Sequence, residues 1–237
     1  MVEEKNNINK NETLVKIRSK YIIIKIFENL DENRLLNIIH YNKKYQKLMN
    51  KKIKDYKNAF STIEIEIIPK ENTYGKFFSN YSKSIKPNIK IFFNDDLKKE
   101  IKTNKITKDD NVKKIKIIIN HKIKSLCEFF YNCKCIKKIN FIKFNKDDIK
   151  NMSWMFYKCS SLEEINLSKF NTENVTDIRG MFFRCSSLKE LDLSNFKTDK
   201  VIRSYFFIDE CYPGMNIIGA NELIKNECVK TYRYNFK

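Results

Sequence analysis

The first quarter of the chain places its apolar residues at helical spacing. After a polar, Asn-rich stretch over residues 1–12, which we expect to be disordered, apolar positions recur every three or four residues between Leu14 and Tyr56. The triplet Asp31-Glu32-Asn33 interrupts this pattern, and Asp31 is suited to cap the helix that follows. The pattern therefore predicts two or three short helices, forming a helical module over residues 13–57.

Residues 58–111 change to a period of two. Residues 62–68 alternate apolar and charged side chains, which is typical of a strand with one solvated face. Pro69 ends this strand, because proline has no N–H to donate to a neighbour. Residues 86–93 and 113–119 are further strand candidates. The pattern predicts a β-rich connecting segment.

From about residue 112 the chain repeats itself with a period of 26 residues. The sixteen residues from Met155 to Phe170 return, with conservative changes, from Met181 to Phe196. The aligned cysteines are Cys133, Cys159, Cys185 and Cys211. Six apolar columns hold across three repeats, one of them Phe130, Phe156 and Phe182. A fixed period in this range predicts a solenoid of stacked repeats over residues 112–212, with a C-terminal cap over residues 213–237.

A short strand inside each repeat separates an inward from an outward column. Ile165 and Leu167 are expected to face the core, because successive strand residues point to opposite sides. The outward column is the candidate partner-binding surface: Lys138, Asn140, Ile142, Glu164, Asn166, Ser168, Glu190, Asp192 and Ser194. Its charge changes from basic to acidic along the stack, which argues against a uniform nucleic-acid groove.

The repeat resembles a known family. The string MFxxCSSLxxLDLSxFxTxxVTDM is similar to the BspA-type leucine-rich repeats of bacterial surface proteins and many protist proteins. Residues 155–178 match it almost completely, and residues 181–201 match it with a divergent end. The resemblance implies a leucine-rich-repeat solenoid with a protein-binding role. The fold class expected for the chain is therefore α+β, a solenoid of 26-residue repeats preceded by a short β segment and a small N-terminal helical module.

The N-terminal helices carry a second resemblance. Residues 19–39 are similar to the opening of an F-box, with an apolar doublet, a polar break and a second apolar helix. The usual leading Leu-Pro is absent, since Arg18-Ser19 stands there. An F-box would dock the adaptor subunit of a ubiquitin ligase, and a plain helical cap is the alternative. The docking residues that the resemblance implies are Ile22, Ile26, Phe27, Leu30, Leu35 and Leu36.

Composition adds a strong positive charge. The formal net charge is +18, from 47 Lys+Arg against 29 Asp+Glu, which favours an acidic partner such as nucleic acid, a membrane face or an acidic protein. Lys far outnumbers Arg, and Ile and Asn are abundant, so the charge also fits a genome rich in A/T codons. The N-terminus does not resemble a secretory signal, and no uncharged run approaches a membrane span. With seven cysteines, an odd number, we expect reduced thiols and a location in the cytoplasm or nucleus.

Candidate chemistry is sparse. Four thiolates hold zinc by converging on one ion, whereas equivalent positions on stacked repeats form a line, so the cysteine column favours core packing. His40 and His121 have no triad-like neighbours, and no Gly-rich phosphate loop is present. The pairs Asp109-Asp110 and Asp147-Asp148 fit solvated loop charge. No metal, cofactor or catalytic residue is predicted.

These patterns favour a non-enzymatic interaction protein. The repeats would bind a partner protein, and an F-box, if present, would make the chain a substrate adaptor of a ubiquitin ligase. One alternative is a BspA-like surface adhesin or antigen. Another is a basic nucleic-acid-binding protein, whose affinity would fall steeply with added salt. We expect neither nucleic acid as the principal partner nor a membrane span.

Overall fold

The computed structural model describes residues 61–79, 89–120, 123–229 and 235–236, together with two isolated helical residues, Lys43 and Lys47. The chain divides into two units, residues 1–60 and 61–237, and the account below concerns the second. The predicted tail over residues 1–12 lies outside the described residues. So does the helical module apart from those two lysines, and with it the six predicted docking residues: Ile22, Ile26, Phe27, Leu30, Leu35 and Leu36.

The regular structure of the described residues is nearly all strand. Its elements in chain order are β1 Ile63–Pro69, β2 Gly75–Lys76, β3 Ile89–Phe93, β4 Lys105–Ile106, β5 Ile115–Ile119, β6 Ile136–Phe144, β7 Glu164–Asn166, β8 Glu190–Asp192, β9 Asn216–Ile218, α1 Glu222–Val229 and β10 Asn235–Phe236. Strands β1, β3 and β5 coincide with the three segments in which apolar residues alternate or cluster.

The largest sheet has five strands in the order β3-β5-β1-β6-β7. Strand β1 lies antiparallel between β5 and β6, and β7 adds parallel to β6. The alternation along β1 buries Ile63, Ile65 and Ile67 completely. On the opposite face Glu64 forms an ion pair with Lys116 of β5 at 3.1 Å. A period-two pattern thus separates the core face from the charged face of this sheet.

The 26-residue sequence period corresponds to contacts between equivalent residues of successive repeats. We call residues 125–133, 151–159, 177–185 and 203–211 the four turn arms. Parallel bridges join equivalent residues at their starts, Ser125 to Asn151, Asn151 to Asp177 and Asp177 to Arg203. Within the arms, alternate N–H groups donate to a carbonyl 25 residues later, as from Trp154 to Arg179 at 2.7 Å. Neighbouring arms are therefore held together by backbone hydrogen bonds.

The predicted fold class, an α+β leucine-rich-repeat solenoid with a helical module, is wrong. One short helix, α1, accompanies the strands of the described residues. The repeat strands also form no continuous ladder, because β7 ends the five-stranded sheet and β8 belongs to a separate sheet with β9 and β10. The physical reason is that successive repeats are joined through their turn arms, whose backbone hydrogen bonds, such as those from Trp154 to Arg179 and from Ile178 to Arg203, continue past the break between β7 and β8. Strands β7 and β8 have three residues each, whereas β6 reaches nine because it pairs with β1.

The core runs through the sheet and along the arms. Phe130, Phe156 and Phe182 are completely buried and stack face to face, with ring centroids 5.5 and 5.2 Å apart. The predicted inward residue Leu167 is buried, and Ile165 is half-buried against the core. Burial of the apolar columns is the main force that stacks the repeats.

Candidate protein-binding surface

The predicted outward column lies on one side of the short strands. Its members from Ile142 onward are exposed, namely Ile142, Glu164, Asn166, Ser168, Glu190, Asp192 and Ser194. Lys138 and Asn140 are half-buried, because β1 continues the sheet beside them. Pairing of β6 with β7 brings Lys138 beside Glu164 and Asn140 beside Asn166. The residues on β8 are not part of that ladder.

Polar groups of this column are largely engaged with one another. Lys138 Nζ lies 2.6 Å from Glu164 Oε2, and this contact lowers the pKa of the Glu164 carboxyl. Asp192 Oδ1 accepts hydrogen bonds from the N–H and hydroxyl of Ser194, at 2.9 and 2.6 Å, which lower the pKa of Asp192. Such turns between a side chain and the backbone two residues on shape the loop after each strand.

A second surface stands out on the turn arms. We call Tyr131, Trp154, Tyr157, Phe183, Tyr205 and Phe206 the aromatic ridge. Each of its six rings contacts at least one other, with centroid distances between 4.6 and 6.3 Å. All six are partly exposed, and Tyr205 and Phe206 reach 44% and 49%. The ridge is thus a continuous apolar strip at the surface, in contrast to the buried Phe column beside it.

The central rings of the ridge stack on each other. Tyr131 and Tyr157 are nearly parallel at 4.6 Å, and Tyr157 and Phe183 are nearly parallel at 5.3 Å. Lys158 Nζ lies 5.0 Å from the centre of the Tyr157 ring, and the Arg184 guanidinium lies 5.2 Å from that of Phe183. Because neighbouring rings cover much of each other's faces, the central rings offer mainly their edges to a partner.

Local backbone geometry explains why the rings of Trp154 and Phe206 point outward. Each arm contains successive turns in which an N–H bonds the carbonyl three residues earlier, such as Tyr157 to Trp154 and Cys159 to Phe156. A positive φ recurs every 26 residues at two positions of the arm, as at Trp154, Gly180 and Phe206 and at Lys158 and Arg184. These are corner positions of tight turns, whose side chains project away from the core.

Trp154 is seated on a glycine of the next arm. A Cβ atom at Gly180 would lie 1.9 Å from the indole carbons Cε3 and Cζ3 of Trp154. Gly180 also has φ +55°, which L side chains rarely adopt. The equivalent residues in the other arms are Glu128, Trp154 and Phe206. In the third arm this position has to be glycine, because the Trp154 indole lies directly over it.

The arginines of the described residues border the ridge. Arg179, Arg184 and Arg203 are the three arginines in residues 61–229, and the single Trp of the chain lies among them. Arg184 pairs with Glu210 through two hydrogen bonds of 2.6 and 2.9 Å, which lower the pKa of Glu210. The surface is thus richer in Arg than the Lys-dominated chain around it.

One buried carboxylate serves two of these arginines. Asp177 is almost fully buried, and its Oδ2 lies 2.8 Å from Arg179 Nη2 and 3.5 Å from Arg203 Nη1. The Arg179 guanidinium also donates to the Tyr205 hydroxyl at 2.6 Å, and both contacts raise its pKa. Two cations against one carboxylate leave a positive charge at this end of the ridge.

The cysteine column is part of the core. Cys159, Cys185 and Cys211 donate their thiols to the carbonyls of Phe130, Phe156 and Phe182, at 3.0, 3.2 and 2.8 Å. Burial raises the pKa of the Cys159 thiol to about 12. Among the described residues no group of His, Cys, Asp and Glu is arranged to hold a metal ion.

One aspartate of each pair, Asp110 and Asp148, contributes to its own loop. Asp110 Oδ2 accepts hydrogen bonds from the N–H and hydroxyl of Thr107, which lower the pKa of Asp110. Asp148 Oδ1 lies 2.7 Å from Nζ of the buried Lys146. These carboxylates hold loop geometry in the described part of the chain.

The ridge was missed from the sequence, although a signal for it exists. Tyr131, Tyr157 and Phe183 are aligned at the 26-residue period, each two residues before a cysteine. The sequence interpretation identified the apolar columns, such as Phe130, Phe156 and Phe182, and did not separate a second, exposed set of aromatic residues from them. Adjacent aromatic residues in each arm, one buried and one exposed, cannot be told apart by residue type, and turn geometry decides between them.

Comparison with known proteins corrects both family resemblances. Residues 124–213 match the family described as Mycoplasma protein of unknown function, DUF285, which is loosely related to BspA-like repeat proteins. Neither a leucine-rich-repeat family nor an F-box family matches the chain, so the leucine-rich-repeat assignment and the F-box assignment made from the sequence are wrong. No curated protein and no solved structure matches it. In the described part of the chain, no helix is long and apolar enough to cross a membrane.

Proposed function

We propose that this chain is a non-enzymatic protein-binding module and that the aromatic ridge is its principal contact surface. One observation carries the proposal: six partly exposed aromatic rings form an unbroken strip bordered by the three arginines of residues 61–229. Trp, Tyr and Arg are the residues in which binding energy at protein interfaces concentrates. They are also enriched at interfaces, where Lys is depleted.

The arrangement suits a protein better than a nucleic acid. Bases bind single-strand sites by stacking on open aromatic faces, whereas Tyr131, Tyr157 and Phe183 cover each other's faces. Arg184 is already engaged with Glu210. Edges of aromatic rings together with fixed guanidinium groups instead complement the mixed apolar and acidic surface of a folded partner or a peptide.

A non-enzymatic role also agrees with the state of the thiols. The reactive form of cysteine is the thiolate, and burial raises the pKa of Cys133, Cys159 and Cys185 far above the ordinary value. These thiols donate hydrogen bonds or fill the core, and they are poorly suited to act as nucleophiles.

Matched surface variants test the proposal. The ridge variant carries Tyr157→Ser and Phe206→Ser. The control carries Tyr74→Ser and Leu97→Ser, which alter two exposed apolar residues away from the arms, 44% and 56% exposed. Each full-length protein is immobilised and incubated with lysate of the source cells, and the retained proteins are quantified by mass spectrometry after cross-linking.

We expect at least one partner that the wild type and the control retain and the ridge variant loses. A cross-link from that partner to an arm residue would place it at the ridge. If wild type, control and ridge variant retain the same proteins in the same amounts, the ridge is not the binding surface. Thermal melts of all three proteins show whether a loss of binding comes from unfolding.

A further inference from the structure

The last arm ends the stack with unused hydrogen-bond donors. In the earlier arms the first two alternate N–H groups always donate to the next arm, for example Ile178 to the Arg203 carbonyl at 2.9 Å and Gly180 to that of Tyr205 at 3.1 Å. The equivalent donors of the last arm are the N–H groups of Ser204 and Phe206. Neither has a hydrogen-bond partner among the described residues. A further extended segment is what these donors would bind.

The same edge exposes apolar side chains. Ile202 is 75% exposed and Phe206 is 49% exposed, whereas their equivalents one repeat earlier are Thr176 and Gly180. Three of the seven large apolar residues that are exposed in the described part of the chain fall within positions 202–206. Apolar exposure concentrated at one edge is typical of an interaction site.

The positive charge at this edge favours an acidic binding partner. Arg203 is half exposed, and it shares the single Asp177 carboxylate with Arg179. The excess positive charge lies beside the two free N–H donors. An extended segment that adds here would therefore gain by placing a carboxylate near Arg203.

We infer that the last arm is a docking site for an acidic, extended peptide segment of a partner protein, which adds to the stack as a further rung. Its carbonyl oxygens accept from the N–H groups of Ser204 and Phe206. An apolar side chain covers Ile202, and a carboxylate binds at Arg203. This mode is a form of strand addition, in which main-chain hydrogen bonds supply affinity and side-chain contacts supply specificity. The inference rests on the proposed protein-binding function and names its partner chemistry.

A phage-displayed library of random linear peptides is the probe. The full-length protein is immobilised, and peptides that bind the support without protein are removed beforehand. We expect enrichment of sequences that combine Asp or Glu with apolar residues. An enriched peptide should bind Arg203→Gln about tenfold more weakly than wild type, and Ile202→Ser should weaken it as well. Lys98→Gln is the matched control, since it removes the same charge from an exposed loop, and it should leave affinity unchanged.

Several results would overturn the inference. These are no enrichment, enrichment of basic or uncharged peptides, or equal binding by Arg203→Gln and wild type. The ridge experiment separates this failure from failure of the proposed function. If the Arg203→Gln and Ile202→Ser proteins still capture a ridge-dependent partner, the proposed protein-binding function is supported and the docking site at the last arm is refuted. Thermal melts confirm that each variant is folded.

Discussion

The substitution Gly180→Ala directly tests whether packing between neighbouring arms holds Trp154 in the aromatic ridge. The substitution would place a methyl group 1.9 Å from two indole carbons of Trp154, at a backbone φ of +55°. The left-handed backbone alone costs an L residue about 1–2 kcal/mol. Displacing Trp154 also weakens its edge-on contacts with Tyr157 and Phe183, which are worth about 0.5–1.5 kcal/mol each. The expected total loss is about 2–5 kcal/mol of unfolding free energy.

A double-mutant cycle separates the two contributions. In a Trp154→Ala background no indole meets the new methyl group, so Gly180→Ala should cost only the backbone part, about 1–2 kcal/mol. Urea or thermal unfolding gives the free energy of unfolding of the wild type, of each single variant and of the double variant. Because the chain contains a single Trp, its fluorescence reports the position of Trp154 directly. We expect a changed emission maximum in Gly180→Ala before unfolding begins.

Alanine substitutions at two other glycines provide reference values for the cost of Gly180→Ala. Gly75 has φ +127° and nothing within 4 Å of an added Cβ, so Gly75→Ala measures a backbone penalty without a side-chain clash. Gly219→Ala should be worse than Gly180→Ala, because its Cβ would lie 2.5 Å from the backbone Cα of Ser194, which cannot rotate away. Equal costs of Gly180→Ala with and without Trp154, together with an unchanged emission spectrum, would refute the reasoning.

Three further predictions concern the arms. The buried Cys159 thiol has its pKa raised from 9.0 to about 12, so the folded state binds more protons above pH 9 and stability is lost as the pH rises. Urea unfolding should show that the free energy of unfolding falls between about pH 8 and about pH 10, and that this fall is about 1.4 kcal/mol larger in wild type than in Cys159→Ala. Equal falls in the two proteins would contradict the prediction. Lys158→Gly should leave stability unchanged or raise it by up to about 1 kcal/mol, because φ at this position is positive; a clear loss in thermal melts would count against the turn geometry. Phe182→Ala should cost about 3–5 kcal/mol in denaturant unfolding, because its fully buried ring stacks on Phe156, and a loss below about 1 kcal/mol would show that the Phe column is not core.

Local features of this protein can be derived from the sequence alone. Alternation in residues 62–68 is enough to place β1, because a period of two can bury one face only of a strand. The 26-residue period is enough to align the arms, since equivalent residues in a stack share one environment. The cysteine column could likewise be predicted as core, because evenly spaced thiols cannot converge on one ion.

How these elements combine, and which side chains remain exposed, depends on contacts between residues far apart in the chain. Pairing of β1 with β6 lengthens one repeat strand to nine residues and leaves β7 and β8 with three each. This pairing joins residues far apart in sequence, which no local pattern records. The same holds for the ridge. Phe156 and Tyr157 are adjacent aromatics. The turns of the arm bury the Phe156 ring, which stacks on Phe182, and leave the Tyr157 ring, which stacks on Phe183, partly exposed.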